Sequence, residues 1–126
     1  MNIDDERRKI LDGTYPSKII QGRQNKHIEG TREFEQKRIQ INKSSTGSEP
    51  SILTANAQEL INKYKGAGEI YFSNDSPYPR EIIYTNEIIG KSWVKSLGKY
   101  VDTTRFDIFY SSTGVHIVPK NDHRKR

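Results

Sequence analysis

Apolar positions in this chain follow two different spacings, and the change falls near residue 68. Before it the spacing is helical. Ala57, Leu60, Ile61 and Tyr64 stand at i, i+3, i+4 and i+7, which predicts a helix over 54–65, with Thr54 as its N-cap and Gly66 just past its end. A thinner stripe of Ile3, Ile10 and Leu11 predicts a short helix over 3–11. Asn2 caps it, acidic residues fill its first turn, basic residues its last, and Gly13 follows. Thr31 can cap a third helix over about 32–41, charged nearly all round, with Phe34 and Ile41 as its apolar contacts. Between these lie a brief edge strand at 17–20, a polar loop at 22–31 bounded by glycines, and the segment NKSSTGSEPS (42–51), whose composition is that of a mobile linker.

After Gly68 the period becomes two. Strands are expected at 69–72, 81–84 and 88–94, with Gly90 as a possible bulge, a turn-rich loop at 74–79 and a turn at Gly98. The segment TTRFDIFYSSTGVHIVP (103–119) then reads as two strands joined at Ser112-Thr113-Gly114. Alternation places Phe106, Ile108 and Tyr110 on one face and Arg105, Asp107, Phe109 and Ser111 on the other. On the return strand Val115 and Ile117 oppose His116. One register groups Arg105, Ser111 and His116 on a polar surface, which is either a cation, a hydroxyl and an imidazole on one platform or simply the wet side of a half-exposed hairpin. Helices first and an antiparallel sheet second give an α+β fold, with the N-terminal helices packed on a sheet of four to five strands.

Composition narrows the chemistry. At 126 residues a single domain is expected, with a real but modest core. The formal charge of +5 favours polyanionic partners. With no cysteine there are no disulfides, thiolate metal sites or cysteine nucleophiles. No apolar run is long enough to span a bilayer, so no membrane partner is expected, and the charged start MNIDDERRK is not a signal peptide. Phosphate-loop, zinc-protease, nucleophile-elbow and EF-hand signatures are all missing. The histidines at 27, 116 and 123 lack ligand spacing, so neither a metal nor a cofactor is expected. The carboxylates Asp75, Glu81, Glu87, Asp102 and Asp107 form no paired motif and read as mostly solvated.

One reaction that needs acid, base and cation but no metal is RNA cleavage by its own 2′-hydroxyl. A base takes the 2′-OH proton, an acid protonates the leaving 5′-oxygen, and a cation stabilises the phosphorane. Histidine serves both proton roles near neutral pH. His27, in its glycine-bounded loop, and His116, on the hairpin, are the candidates, whereas His123 in the basic tail contributes charge. Trp93 and Tyr84 are either base-stacking platforms or core aromatics.

Four blocks of the chain resemble a known family. QNKHIEGTREFEQ (24–36), AQELINKYKGAGEI (57–70), EIIYTNEIIG (81–90) and TTRFDIFYSSTGVHIVP (103–119) are similar, in order and spacing, to the bacterial toxin 50 domain of polymorphic toxins. The resemblance implies a toxin ribonuclease with the α+β fold shared by barnase, EndoU, colicin and RelE nucleases. It further implies export as part of a larger protein to act in a target cell's cytoplasm, or carriage by a phage, with a cognate immunity protein as partner. From HIEGT it carries His27 and Thr31 into the catalytic set, and from the hairpin Tyr110, Ser111 and His116. Arg105, Lys26, Thr104 and Lys91 join as candidate substrate ligands. Where the family often reads Ile-His-Tyr-Ser, this chain has Phe109, which leaves His27 and His116 as the proton-transfer pair.

The domain limits follow: an accessory helix at 1–14, the ribonuclease domain at 15–120 and a basic tail at 121–126. The expected assembly is a monomer that binds RNA, tRNA being one candidate, and is neutralised by an acidic immunity protein. Two other readings remain open: a nucleic-acid-binding module without turnover, and a phage structural or adaptor domain that has lost the chemistry.

Overall fold

The helix predicted from the strongest apolar stripe forms at Ala57–Tyr64 (α4), the span of the stripe itself, and so starts later than the predicted 54–65. Asn56, not Thr54, caps it, with its side chain accepting from the Glu59 N–H at 2.9 Å. Thr54 is otherwise engaged, because Ile52–Leu53 (β1) pairs with a later strand and the Thr54 and Ala55 amides continue that pairing to the Ile89 carbonyl. The computed structural model describes residues 2–44 and 47–122. Its other helices are Ile3–Leu11 (α1), Gln21–Gln24 (α2), continued by a 3₁₀ turn at Asn25–His27, and Arg32–Ser44 (α3).

Six further strands follow: Glu69–Tyr71 (β2), Arg80–Tyr84 (β3), Gly90–Val94 (β4), Lys99–Thr103 (β5), Arg105–Tyr110 (β6) and Val115–Lys120 (β7). The α+β class is as expected, and the strands divide into two antiparallel sheets. One has the order β2-β3-β6-β7, the other β1-β4-β5. The second sheet lies beside β7, which β1 and β4 contact. Strand β5 is absent from the sequence-based expectation, since Val101 is its only aliphatic residue and it is exposed. The segment 17–20 contributes a single parallel bridge, Ile19 to Val115, in place of an edge strand.

Alternation on the four-stranded sheet is regular. Ile70, Ile83, Phe106, Ile108, Val115 and Ile117 turn to one face and pack with Ile10, Leu60 and Ile61 of the helices. Burying each such side chain contributes roughly 1.5–3 kcal/mol. Ile10 carries α1 into this core, so the N-terminal helix is part of the packed body. The opposite face carries Tyr71 of β2, Arg80, Ile82 and Tyr84 of β3, Arg105, Asp107 and Phe109 of β6, and His116, Val118 and Lys120 of β7. Tyr110 follows simple alternation onto the core side and no bulge displaces it, because β6 ends there in register with Val115. Gly114 permits the turn that follows. Its φ is +150°, and a Cβ there would lie 2.5 Å from the Lys18 carbonyl oxygen.

The described residues of the 42–51 segment contact the body: α3 extends to Ser44, Trp93 Nε1–H donates to the Gly47 carbonyl at 2.6 Å, the Tyr100 hydroxyl to that of Pro50 at 3.0 Å, and Glu49 pairs with Arg38, while 45–46 lie outside the described residues. Of the five carboxylates singled out, Asp75, Glu87 and Asp102 are exposed, in line with the expectation that most are solvated. Glu81 and Asp107 are buried, one on each face of the four-stranded sheet, because each gathers several donors. The basic-tail reading concerns 121–126, of which 123–126, with His123, lie outside the described residues. No helix among the described residues is long and apolar enough to cross a membrane.

Candidate functional site

The 22–31 segment expected as a loop is instead a clamped pair of short turns. Gln24 is fully buried, and its side-chain amide donates to the Ile117 carbonyl at 2.9 Å while its carbonyl accepts the Ile117 N–H at 2.8 Å. Gln24 thus acts as one more residue of strand pairing on the free edge of β7. Alanine at Gln24 is expected to cost about 1–3 kcal/mol for each buried backbone group left unpaired. A urea titration checks the loss, and hydrogen exchange should localise it to the Ile117 amide.

The same clamp fixes His27 against the sheet. The residue is 8% exposed, and Nδ1 lies 3.0 Å from both the carbonyl oxygen and the hydroxyl of Ser51. A carbonyl only accepts, so Nδ1 carries the proton in that bond and Nε2 is left with a free lone pair. The Thr31 hydroxyl donates towards the Asn25 and Ile28 carbonyls, at 2.7 and 2.9 Å, and accepts the Phe34 N–H at 3.0 Å. Thr31 therefore closes the turn behind His27 and caps α3.

His116 stands on β7 opposite Phe109, with ring centroids 4.9 Å apart, and the Arg80 guanidinium covers the Phe109 ring at 4.2 Å. His116 Nδ1 is buried and has no hydrogen-bond partner among the described residues. Burial pushes both imidazoles down to about 4. For His27, Lys37, Lys120 and Lys26 add to this, against the opposing Ser51 carbonyl bond. For His116, His27 itself adds most after burial, followed by Arg23, Lys26 and Arg80. The two histidines therefore share one electrostatic environment, and it is strongly cationic.

They also share a cavity. A cleft of about 410 Å³ is walled by His27, Ser51, Lys26, Lys37, Phe109 and His116 among others. A second cleft of about 360 Å³, with Arg23, Arg80 and Ser111 in its walls, meets the first at Phe109 and His116. Arg23, Lys26, Lys37 and Lys120 enter no ion pair among the described residues, whereas Arg38, Arg80 and Arg105 are all matched by carboxylates. Unmatched cations around neutral imidazoles give the cleft a positive potential that favours anions. Among the described residues, no group of three or more histidine or carboxylate side chains is placed to hold a metal ion.

Of the residues singled out from sequence, His27, His116 and Lys26 converge here, and Ser111 borders the cleft beside His116. The Ser111 hydroxyl donates to the Gly114 carbonyl at 2.8 Å and so also braces the turn. Tyr110 is 4% exposed and donates its hydroxyl to Glu81 at 2.6 Å, on the core side. Arg105 does not join His116. It pairs with Lys120 across the ladder and forks onto Asp107 at 3.0 and 3.2 Å. Thr104 borders a different cavity, and Lys91 is exposed on β4, next to the cavity-lining Ser92 and so on the opposite side of the strand.

Ser51, Arg23, Lys37 and Arg80 escaped the sequence reading. Only Arg80 left a signal there, since period two along β3 separates it from Glu81 and Ile83. Residues 19–119 match the family model described as bacterial toxin 50, and no curated protein matches the chain.

Proposed function

The chain belongs to the bacterial toxin 50 family, and we propose that this toxin domain is a metal-independent endoribonuclease. The observation that carries the reading is the convergence of His27 and His116 in one cleft ringed by unmatched cations. His27, with Nδ1–H held by Ser51, is the base, and its Nε2 takes the 2′-OH proton of the substrate. The 2′-oxygen attacks phosphorus, the bond from phosphorus to the 5′-oxygen breaks, and His116 gives its proton to that leaving oxygen. Arg23 and Lys26 stabilise the charge that accumulates on the phosphorane. An arriving phosphate raises the affinity of His116 for the proton it must donate, which offsets the burial and the cations that depress it.

The products should be a 2′,3′-cyclic phosphate and a 5′-hydroxyl. Mass spectrometry of a short labelled RNA, digested in EDTA, tests this. A substrate with a single 2′-deoxy sugar at the cleaved step should survive, and its cleavage at that step would overturn the mechanism.

One observation favours a second reading. Both imidazoles are neutral at pH 7 in the unliganded protein, which suits an RNA-binding module without turnover. The same digest separates the two, because that module retains RNA and yields no product. Export within a larger protein, or carriage by a phage, and neutralisation by an acidic immunity protein covering the cationic cleft complete the proposal.

A further inference from the structure

The cleft continues beyond the histidines. Ser92 and Lys120 line it, and both also line a neighbouring cavity of about 380 Å³ whose other walls include Tyr71, Ile82, Arg105 and Asp107. With the Arg23 and Arg80 cleft on the far side of His116, three cavities follow one another along the exposed face of β7. His116 and Lys120 are four residue steps apart on β7, about 13 Å at the usual rise. That distance exceeds one nucleotide step.

Charge is distributed along the whole row. Among the unmatched cations Arg23 stands at one end, Lys26 and Lys37 in the middle and Lys120 at the other, while Arg80 and Arg105 are held by Asp75 and Asp107. The carboxylates along the row are already matched. Asp75 pairs with Arg80 and Glu49 with Arg38, and Asp107 accepts both Arg105 and the Tyr71 hydroxyl, the latter at 2.7 Å. Burial and the Asp107 bond push the Tyr71 phenol up to about 12, so it remains a donor. A single phosphate would need only one of these cation groups, whereas a polyanion with spaced charges would meet all three. Tyr71 adds an aromatic ring to the wall of the last cavity, and such a ring suits unstacked bases rather than a duplex.

We infer that the cleft holds an extended RNA single strand, with a second phosphate subsite at Lys120 more than one nucleotide from the scissile bond. The inference rests on the ribonuclease reading for the identity of the strand.

Fluorescence anisotropy with uncleavable 2′-O-methyl RNA of two and of six nucleotides tests it. The hexamer should bind at least about tenfold tighter than the dinucleotide, and Lys120→Ala should remove most of that difference. The salt dependence of hexamer binding should fall by about one phosphate contact. Removing an equal charge at Lys99, exposed on β5, should change hexamer affinity less than about twofold. Equal affinity for the two lengths overturns the inference, as does an equal loss on both in Lys120→Ala. If the hexamer is held in this length-dependent way while its 2′-hydroxyl counterpart stays uncut, the strand site stands and the ribonuclease reading falls.

Discussion

Alanine at His27 or His116 is expected to lower kcat/KM for RNA by about 10²- to 10⁴-fold, the usual worth of a positioned acid or base. The double variant should be scarcely worse than either single one, because the two act in the same step. The pH profiles assign the roles. A base must be neutral and an acid protonated, and both imidazoles of the free protein lie near 4. Wild-type kcat/KM should therefore peak on the acid side and fall with rising pH. The kcat optimum should lie higher, since bound phosphate raises both groups. Residual activity of His27→Ala should only fall as pH rises, and that of His116→Ala should only rise. The reverse pattern would exchange acid and base. Folded variants that cleave within threefold of wild type would remove the histidines from the mechanism.

Folding is checked on the same proteins. A histidine held near 4 in the fold but near 6.5 when unfolded binds its proton first in the unfolded state. Stability should consequently decline as pH falls from about 6.5 towards 4. Each alanine variant should lose part of that decline, a thermal-melting readout independent of cleavage.

The parts of this fold legible in sequence are those whose information is local. Helix α4 and the β6–β7 hairpin each carry their period, turn and cap within about twenty residues, and both form. Strand β5 pairs with β4 across the short turn at Gly98, and it was missed because Lys99, Val101 and Asp102 are exposed and give it little apolar period of its own. The site divides in the same way. His27 and His116 were visible as chemistry, but the partner that sets the His27 tautomer, Ser51, is 24 residues away in a segment of linker composition. Arg105 was placed with His116 by parity alone. Parity chooses the face, and register then sends Arg105 to Lys120, four residues further along β7. Thr31 and Tyr110 were grouped with the histidines through motif likeness, and their hydroxyls are committed to a helix cap and to a buried carboxylate.

That buried carboxylate carries the largest expected effect on stability. Glu81 is fully buried on the core face of β3, and its oxygens accept the Gly66 and Gly68 amides at 2.9 and 2.7 Å and the Tyr110 hydroxyl at 2.6 Å. Arg7 of α1 lies 3.9 Å away and also donates to the Gly66 carbonyl. One side chain thereby joins α1, the turn after α4, β3 and β6. Glu81→Ala leaves the buried Tyr110 hydroxyl and the half-buried Gly66 and Gly68 amides without their acceptor, and at about 1–3 kcal/mol for each stranded group it should cost about 3–5 kcal/mol. A domain of this size has roughly 5–15 kcal/mol in total. The urea midpoint should fall steeply with the slope unchanged. Tyr110→Phe removes one donor and leaves the carboxylate its other partners, so it should cost only about 1–2 kcal/mol. Because the Tyr110 hydroxyl points away from the histidine cleft, Tyr110→Phe should cleave RNA within about threefold of wild type. A loss approaching that of His116→Ala, in protein shown to be folded, would return Tyr110 to the chemistry and require the β6 terminus to rearrange when RNA binds.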